Sequence, residues 1–148
     1  MSEEGLNAGN SAEQREAEVL LVAGLAERLG VRLSKKQFAL PGGEWLEIDG
    51  VCESPPILCE AWAHQGPPKS AQKNKVMTDA FKMLYASKFV SNPTRMILVF
   101  GDKKAAAHFE GRSWIAQALR ARQIEVQVVE LPEATRAAIL RAQKRQFR

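Results

Sequence analysis

The chain has 148 residues, which suits one globular domain and is short for two. Its 45% hydrophobic and 26% charged residues are typical of a soluble protein that can bury a core. The apolar run from Val19 to Ala26 is too short to cross a bilayer, and the first residues lack the basic-then-apolar order of a signal peptide. Secretion and membrane insertion are therefore not expected.

The two cysteines, Cys52 and Cys59, lie seven residues apart and form no CxxC motif. This spacing argues against a disulfide scaffold or a structural zinc site and fits a reducing compartment, so a cytoplasmic location is expected. The formal net charge of +4 is mild, although the stretch 136–148 holds five basic residues.

Residues 1–10 are mostly polar and contain glycine and asparagine, so they are expected to form a disordered tail. Ser11 and Gln14 have the spacing of a capping box at the start of a helix. The apolar spacing predicts that this helix runs from Ala12 to about Leu29, and Gly30 is suited to end it.

The next forty residues change to the alternating pattern of strands. Phe38–Leu40 and Glu44–Val51 flank the turn-forming Pro41–Gly43 and predict a hairpin. Ile57–Ala63 is apolar at both odd and even positions, which is typical of a central strand covered on both faces.

Helices and strands then alternate to the end of the chain. The predicted elements are a helix over Ser70–Ser87, a strand over Arg95–Phe100, a helix over Trp114–Arg122, a strand over Ile124–Leu131 and a helix from Pro132 to about Gln146. This order predicts one α/β domain over residues 11–148, with a mixed central sheet flanked by helices.

Two carboxylates on neighbouring predicted strands could carry chemistry. Asp49 lies eleven residues before Glu60, which interrupts an otherwise apolar strand. Carboxylates from adjacent strands can converge on one Mg²⁺ ion, which activates water and neutralises charge in phosphodiester cleavage. A buried Glu60 needs a partner, which could equally be a basic side chain or solvent, and Asp49 before Gly50 could be a turn residue.

The segments LEIDGV (46–51) and ILCEAWAHQG (57–66), with Glu18 in the first helix, resemble the PD-(D/E)XK nuclease superfamily over roughly residues 12–100. The resemblance implies a restriction-endonuclease-like fold and a Mg²⁺ or Mn²⁺ site formed by Asp49, Glu60 and the backbone carbonyl of Ala61. It also implies that Glu18 joins the metal site, as a first-helix glutamate does in members similar to Holliday-junction resolvases.

The chain departs from this family at the position two residues after the glutamate, where the family has lysine and this chain has Trp62. Tryptophan cannot supply a positive charge to the phosphate. Some members take the lysine from the following helix. At about 100° per residue, Lys73 falls on the apolar stripe of that helix and Lys69 falls near it, whereas Lys75 and Lys82 are expected to point to solvent. Lys73 could instead bury only its stem.

Further polar residues could contact the phosphate of a substrate. His64 shares the strand face of Glu60 and could act as a base or phosphate contact, or be structural. Gln65 and Gln72 are candidate phosphate or water ligands. Basic residues of the second and last helices could bind nucleic acid if both helices lie on one side of the fold, and otherwise serve solubility: Lys75, Arg141, Lys144 and Arg145.

The expected function is a Mg²⁺-dependent nuclease or a nuclease-related DNA-binding protein, in which Asp49, Glu60, Glu18, Lys73, Lys69 and His64 form the catalytic set. DNA is the substrate that the resemblance implies, and a homodimer would supply two cuts. The alternative is a non-catalytic binding or regulatory module with a degenerate site, supported by Trp62. A third reading is a protein-interaction subunit that binds no nucleic acid.

Overall fold

The computed structural model describes residues 11–91 and 93–146. The expected tail over residues 1–10 lies outside the described residues. The elements in chain order are α1 (Ala12–Leu29), β1 (Ser34–Ala39), β2 (Trp45–Glu53), β3 (Pro56–Trp62), α2 (Ser70–Ala86), a 3₁₀ turn (Ser87–Phe89), β4 (Arg95–Phe100), α3 (Lys103–Glu110), α4 (Trp114–Ala121), β5 (Ile124–Val128) and α5 (Glu133–Gln146).

The strands form one five-stranded sheet in the order β1-β2-β3-β4-β5. The β1–β2 and β2–β3 pairs are antiparallel, whereas β3–β4 and β4–β5 are parallel and are joined by helical connections. The predicted α/β architecture with a mixed sheet is therefore confirmed. Within the described residues no helix is long and apolar enough to cross a membrane.

The central strand β3 divides the core into two layers because its alternate side chains point to opposite faces. Leu58 belongs to the cluster that includes Val76 of α2, and α3 and α4 cover the same face. Cys59 belongs to the other cluster, with Leu21 of α1 and Ile139 of α5. We call these two sides of the sheet the α2 face and the α1 face.

Local sequence signals set the ends of α1 as predicted. The Ser11 hydroxyl accepts a hydrogen bond from the Gln14 backbone N–H at 3.2 Å, and the Gln14 side-chain oxygen accepts one from the Ser11 N–H at 3.2 Å. Gly30 ends the helix with a φ of 68°, in the left-handed region that glycine adopts without strain.

Helix α3 is absent from the elements that the sequence predicts. It spans eight residues and is capped by Asp102, whose carboxylate accepts from the Ala105 N–H. Two turns give an apolar period too few repeats to detect, and burial of Phe109 in the α2-face core stabilises the helix instead.

Candidate functional site

The hydrogen-bonded pairing of β2 with β3 stops next to the two predicted acids. Its last pair is Gly50 with Cys59, so Asp49 and Glu60 are the first residues beyond it. Asp49 Oδ2 accepts a hydrogen bond from the backbone N–H of Ala61 at 2.9 Å. A side-chain carboxylate thus satisfies a strand amide just beyond the last pair, and this contact holds Asp49 against the β3 backbone.

On the α1 face, Asp49 and Glu18 line a cavity of about 580 Å³ together with Arg15 and Lys35. The pKa of Glu18 is raised to about 8, first by burial and then by the negative charges of Asp49 and Asp79. The positive charges of Lys35 and Arg15 act in the opposite direction but do not cancel these effects. Glu18 therefore belongs to the same electrostatic cluster as Asp49, and its place in a metal site stays a prediction.

Glu60 extends from β3 toward α2 and is only 2% exposed. Lys82 Nζ lies 3.3 Å from its Oε1 and 3.8 Å from Oδ1 of Asp79. Because a buried carboxylate is costly without a counter-charge, this lysine is the partner that Glu60 required. We call Glu18, Asp49, Glu60 and Asp79 the acid cluster, and Lys82 is its lysine.

Negative charge within the acid cluster disfavours the ionisation of Glu18, Glu60 and Asp79. Burial raises the pKa of Glu60 well above its usual range, and Asp49 and Asp79 raise it further through their charges. The pKa of Asp79 is raised to about 6, mainly by burial. Burial would lower the pKa of Lys82, but the charges of Glu60 and Asp79 outweigh it and raise that pKa. Lys82 contacts Glu60 and Asp79, and the charges of Lys75 on Asp79 and of Lys35 and Arg15 on Glu18 offset the acids only in part.

One oxygen of the cluster lacks a hydrogen bond. Glu60 Oε1 is buried and has the ion-pair contact with Lys82 but no partner in hydrogen-bond geometry. Across residues 11–91 and 93–146, no group of three or more His, Cys, Asp or Glu side chains is arranged so that it could hold a metal ion. A divalent ion at this site would therefore need water or backbone oxygen for most of its coordination.

The lysine that contacts Glu60 is Lys82, whereas helical spacing predicts Lys73 or Lys69 at the site. Lys82 was expected to point to solvent, and that expectation is wrong because it forms the ion pair with Glu60. Lys73 is half-buried, and its charge acts on His108. The charge of Lys69 acts on His64, and neither lysine is among the charges that shift Glu60.

Asp79 and Lys82 were missed as site residues although a signal was available. They are three residues apart on one helix, where an acid and a base are neighbours. A charged pair on the helix that follows a strand containing a buried glutamate is a candidate partner for that glutamate. The apolar residues of α2 predict where the centre of its buried face lies. They do not predict that the side of the helix with Asp79 and Lys82 meets β3.

His64 is buried near the site but is influenced by other charges. It is 7% exposed, its Nδ1 has no hydrogen-bond partner, and its ring centroid lies 6.3 Å from that of Trp62. Burial lowers the pKa of His64, and the neighbouring charges that act on it are Asp102 and Lys69 rather than the acid cluster. Its predicted role as a base stays a prediction.

The two glutamines predicted as phosphate contacts use their side chains inside the fold. Gln72 Oε1 accepts from the Lys69 backbone N–H at 2.6 Å. Gln65 Nε2 donates to the carbonyls of Ala63 and Gly101, and Gln65 Oε1 accepts from Arg136 Nε at 2.9 Å. These bonds fix the start of α2 and the packing of α5.

The basic residues of α5 and α2 lie on opposite faces of the sheet, since α5 packs in the α1-face core. Arg141 and Lys144 are exposed, and Arg145 pairs with Glu13 of α1 at 2.8 Å. Lys75 is on α2, and its charge acts on Asp79. The condition that both helices share one side is not met, so the α5 basic residues are better explained by solvation.

No family model, no curated protein and no solved structure matches this chain. Its function must therefore be argued from the acid cluster and the surface around it.

Proposed function

We propose that this chain is a divalent-metal-dependent nuclease of the restriction-endonuclease-like kind. The observation that carries the proposal is the convergence of four carboxylates from α1, β2, β3 and α2 where the β2–β3 pairing ends, with one lysine among them. Acids whose pKa is raised by burial and by neighbouring negative charge, as for Glu18, Glu60 and Asp79, are concentrated at functional sites, because such an arrangement costs stability without a bound cation.

Asp49 and Glu60 are the residues that would hold Mg²⁺ or Mn²⁺, with the backbone carbonyl of Ala61 and water completing the coordination. Mg²⁺ commonly binds through one or two carboxylates and keeps several waters, so a site without three side-chain ligands suits it. The buried Glu60 Oε1 without a hydrogen bond and the neighbouring negative charge of Asp49 favour a cation there. When bound, the ion would activate water and neutralise charge on a phosphodiester.

Lys82 takes the role that the nuclease family gives to the lysine two residues after the glutamate, where this chain has Trp62. Its side chain is 29% exposed and its ammonium contacts Glu60, so it could present a positive charge both to the cluster and to a phosphate at the surface. Asp49 borders both Glu60 and the cavity on the α1 face, which gives the cluster an opening to solvent. Glu18, which lines the same cavity, would support the metal there.

The proposal is tested by measuring thermal unfolding with Mg²⁺, Mn²⁺ or EDTA, and cleavage of branched, single-stranded and duplex DNA. We expect the wild-type chain to be stabilised by metal and to cleave, and both effects to be lost in Asp49→Asn and Glu60→Gln. Glu47→Gln is the matched control, since Glu47 lines the same cavity but pairs with Lys35. A wild-type chain that neither responds to metal nor cleaves would overturn the nuclease proposal.

A second candidate is a non-catalytic binding module with a degenerate site. It is favoured by the nearly complete burial of Glu60 and by its ion pair with Lys82, because a lysine can replace a metal as the counter-charge. This candidate predicts salt-dependent binding to DNA that is insensitive to metal and unaffected by Asp49→Asn. Absence of binding to any nucleic acid would instead favour a protein-interaction subunit.

A further inference from the structure

Three aromatic rings are exposed together at the end of α2. Phe81 is 75% exposed, Tyr85 40% and Phe89 43%. Phe81 and Tyr85 are four residues apart and so lie on one side of the helix. The Tyr85 and Phe89 rings meet edge to face with centroids 5.4 Å apart, and Phe89 also contacts the ring of Phe38 in β1 at 6.3 Å. We call Phe81, Tyr85 and Phe89 the aromatic patch.

The patch lies on a basic segment of the chain. Residues 69–88 contain five lysines and a single acidic residue, Asp79. The net charge of this segment is therefore equal to the formal net charge of +4 of the whole sequence. Lys88 Nζ lies 5.9 Å from the centroid of the Tyr85 ring, and Lys88 forms no ion pair with any residue that the structure describes. Exposed rings next to unneutralised lysine are the combination that binds nucleic-acid strands without sequence preference.

The patch is also close to the acid cluster along the helix. Lys82, which contacts Glu60, directly follows Phe81 and precedes Tyr85 by three residues, which is about 4.5 Å of helix axis. A nucleic-acid strand bound to the patch would therefore lie within about one helical turn of Lys82.

We infer that the aromatic patch binds single-stranded nucleic acid by stacking unpaired bases on Phe81 and Tyr85, with Lys88 contacting the backbone. The inference rests on the proposed function and specifies its substrate class as strands with unpaired nucleotides. Bases in a duplex are already stacked on each other and cannot reach these rings. A second copy of the chain is a poorer occupant, because three side chains cover much less than the roughly 800 Å² per partner of a stable interface.

The test measures fluorescence anisotropy of a labelled oligothymidine of about twenty nucleotides and of a duplex of equal length, with the full chain in EDTA. Phe81→Ala and the double variant Phe81→Ala/Tyr85→Ala should weaken oligothymidine binding by about fivefold or more, since each stacked base contributes substantially. Phe81→Trp should retain binding because it keeps a stacking ring. Trp114→Ala is the matched control, as Trp114 is 66% exposed on α4 and outside the patch.

The outcomes separate this inference from the nuclease proposal. Weaker oligothymidine binding in Phe81→Ala supports the inference even if the wild-type chain proves not to cleave. Metal-dependent cleavage with unchanged oligothymidine binding in the double variant overturns the inference and leaves the nuclease intact. It is also overturned if the wild-type chain does not bind oligothymidine, or if light scattering shows that Phe81→Ala converts a dimer to a monomer without changing that binding.

Discussion

Lys82 Nζ lies 3.3 Å from Oε1 of Glu60, and this contact joins helix α2 to the central strand β3. Glu60 is 2% exposed and is close to other acids, and among the described residues Lys82 is the cation that contacts it. Removing one member of a buried ion pair lowers the free energy of unfolding more than replacing both members with apolar residues. The remaining charge stays desolvated without a partner. The Lys82–Glu60 pair therefore links the stability of the fold to the chemistry proposed for the site.

We expect Lys82→Met to lower the free energy of unfolding by about 1–3 kcal/mol, less than for a fully buried pair because the lysine is partly exposed. It should also abolish metal-dependent cleavage. Lys73→Met is the matched control, since Lys73 is a half-buried lysine on the same helix that does not act on Glu60. Urea denaturation and the cleavage assay measure both effects. A greater loss of cleavage in Lys73→Met would instead favour Lys73 as the lysine of the site, as helical spacing predicts.

The elements that the sequence predicted well have local causes. The capping box of Ser11 and Gln14 and the left-handed Gly30 fix α1, and the continuous apolar run around Glu60 identifies a strand covered on both faces. These signals lie within a few residues of the structure that they specify, so no knowledge of the tertiary fold is needed to interpret them.

The parts that could not be predicted depend on tertiary packing. Lys82 is one residue, or about 100° of helix rotation, from the fully buried Met83, and only the position of β3 decides that this flank of α2 meets Glu60. The placement of Arg145 beside Glu13 likewise depends on which face of the sheet α5 crosses to after β5. Helical periodicity indicates a buried direction but not the neighbour found there.

The pKa of Glu18, raised to about 8, predicts how stability varies with pH in EDTA. Between about pH 4.5 and pH 8 the folded chain keeps a proton that the unfolded chain has released, so the free energy of unfolding should fall as pH rises. Glu18→Gln removes this pH dependence, because glutamine does not bind or release a proton in this range. We expect it to stabilise the chain by about 1–2 kcal/mol at pH 8 and to have little effect near pH 4.5.

Chemical denaturation at several pH values measures this dependence, and Glu16→Gln is the control because Glu16 is an exposed glutamate on the same helix. If Glu18→Gln destabilises the chain equally at all pH values, the glutamate has a purely structural role. Added Mg²⁺ should reverse the order of stability at pH 8, since metal binding requires the charged carboxylates.

The two cysteines should differ in reactivity. The pKa of Cys59 is raised to about 12 by burial and by the charges of Asp49 and Glu60, whereas Cys52 is half-buried. Because the thiolate is the reactive form, a thiol reagent at pH 8 should modify one cysteine in the native chain and two after denaturation. Cys52→Ser should leave the native chain unreactive, and rapid modification of Cys59 would mean that the sheet near the acid cluster opens readily.

Gly50 keeps the α1 face close-packed next to Asp49. A Cβ atom at this position would lie 2.5 Å from Sγ of Cys59 and 3.0 Å from Cγ1 of Val22 in α1. We expect Gly50→Ala to destabilise the chain by about 1–3 kcal/mol in urea denaturation, because an overpacked core must shift its backbone. Val22 is one helical turn from Glu18, so a displaced α1 would also move Glu18 away from Asp49 and reduce the pH dependence described above.

Adding Cys59→Ala to Gly50→Ala removes the closest clash and should restore part of the lost stability. If the double variant is no more stable than Gly50→Ala alone, the contact with Val22 is the dominant constraint on the spacing between α1 and the sheet.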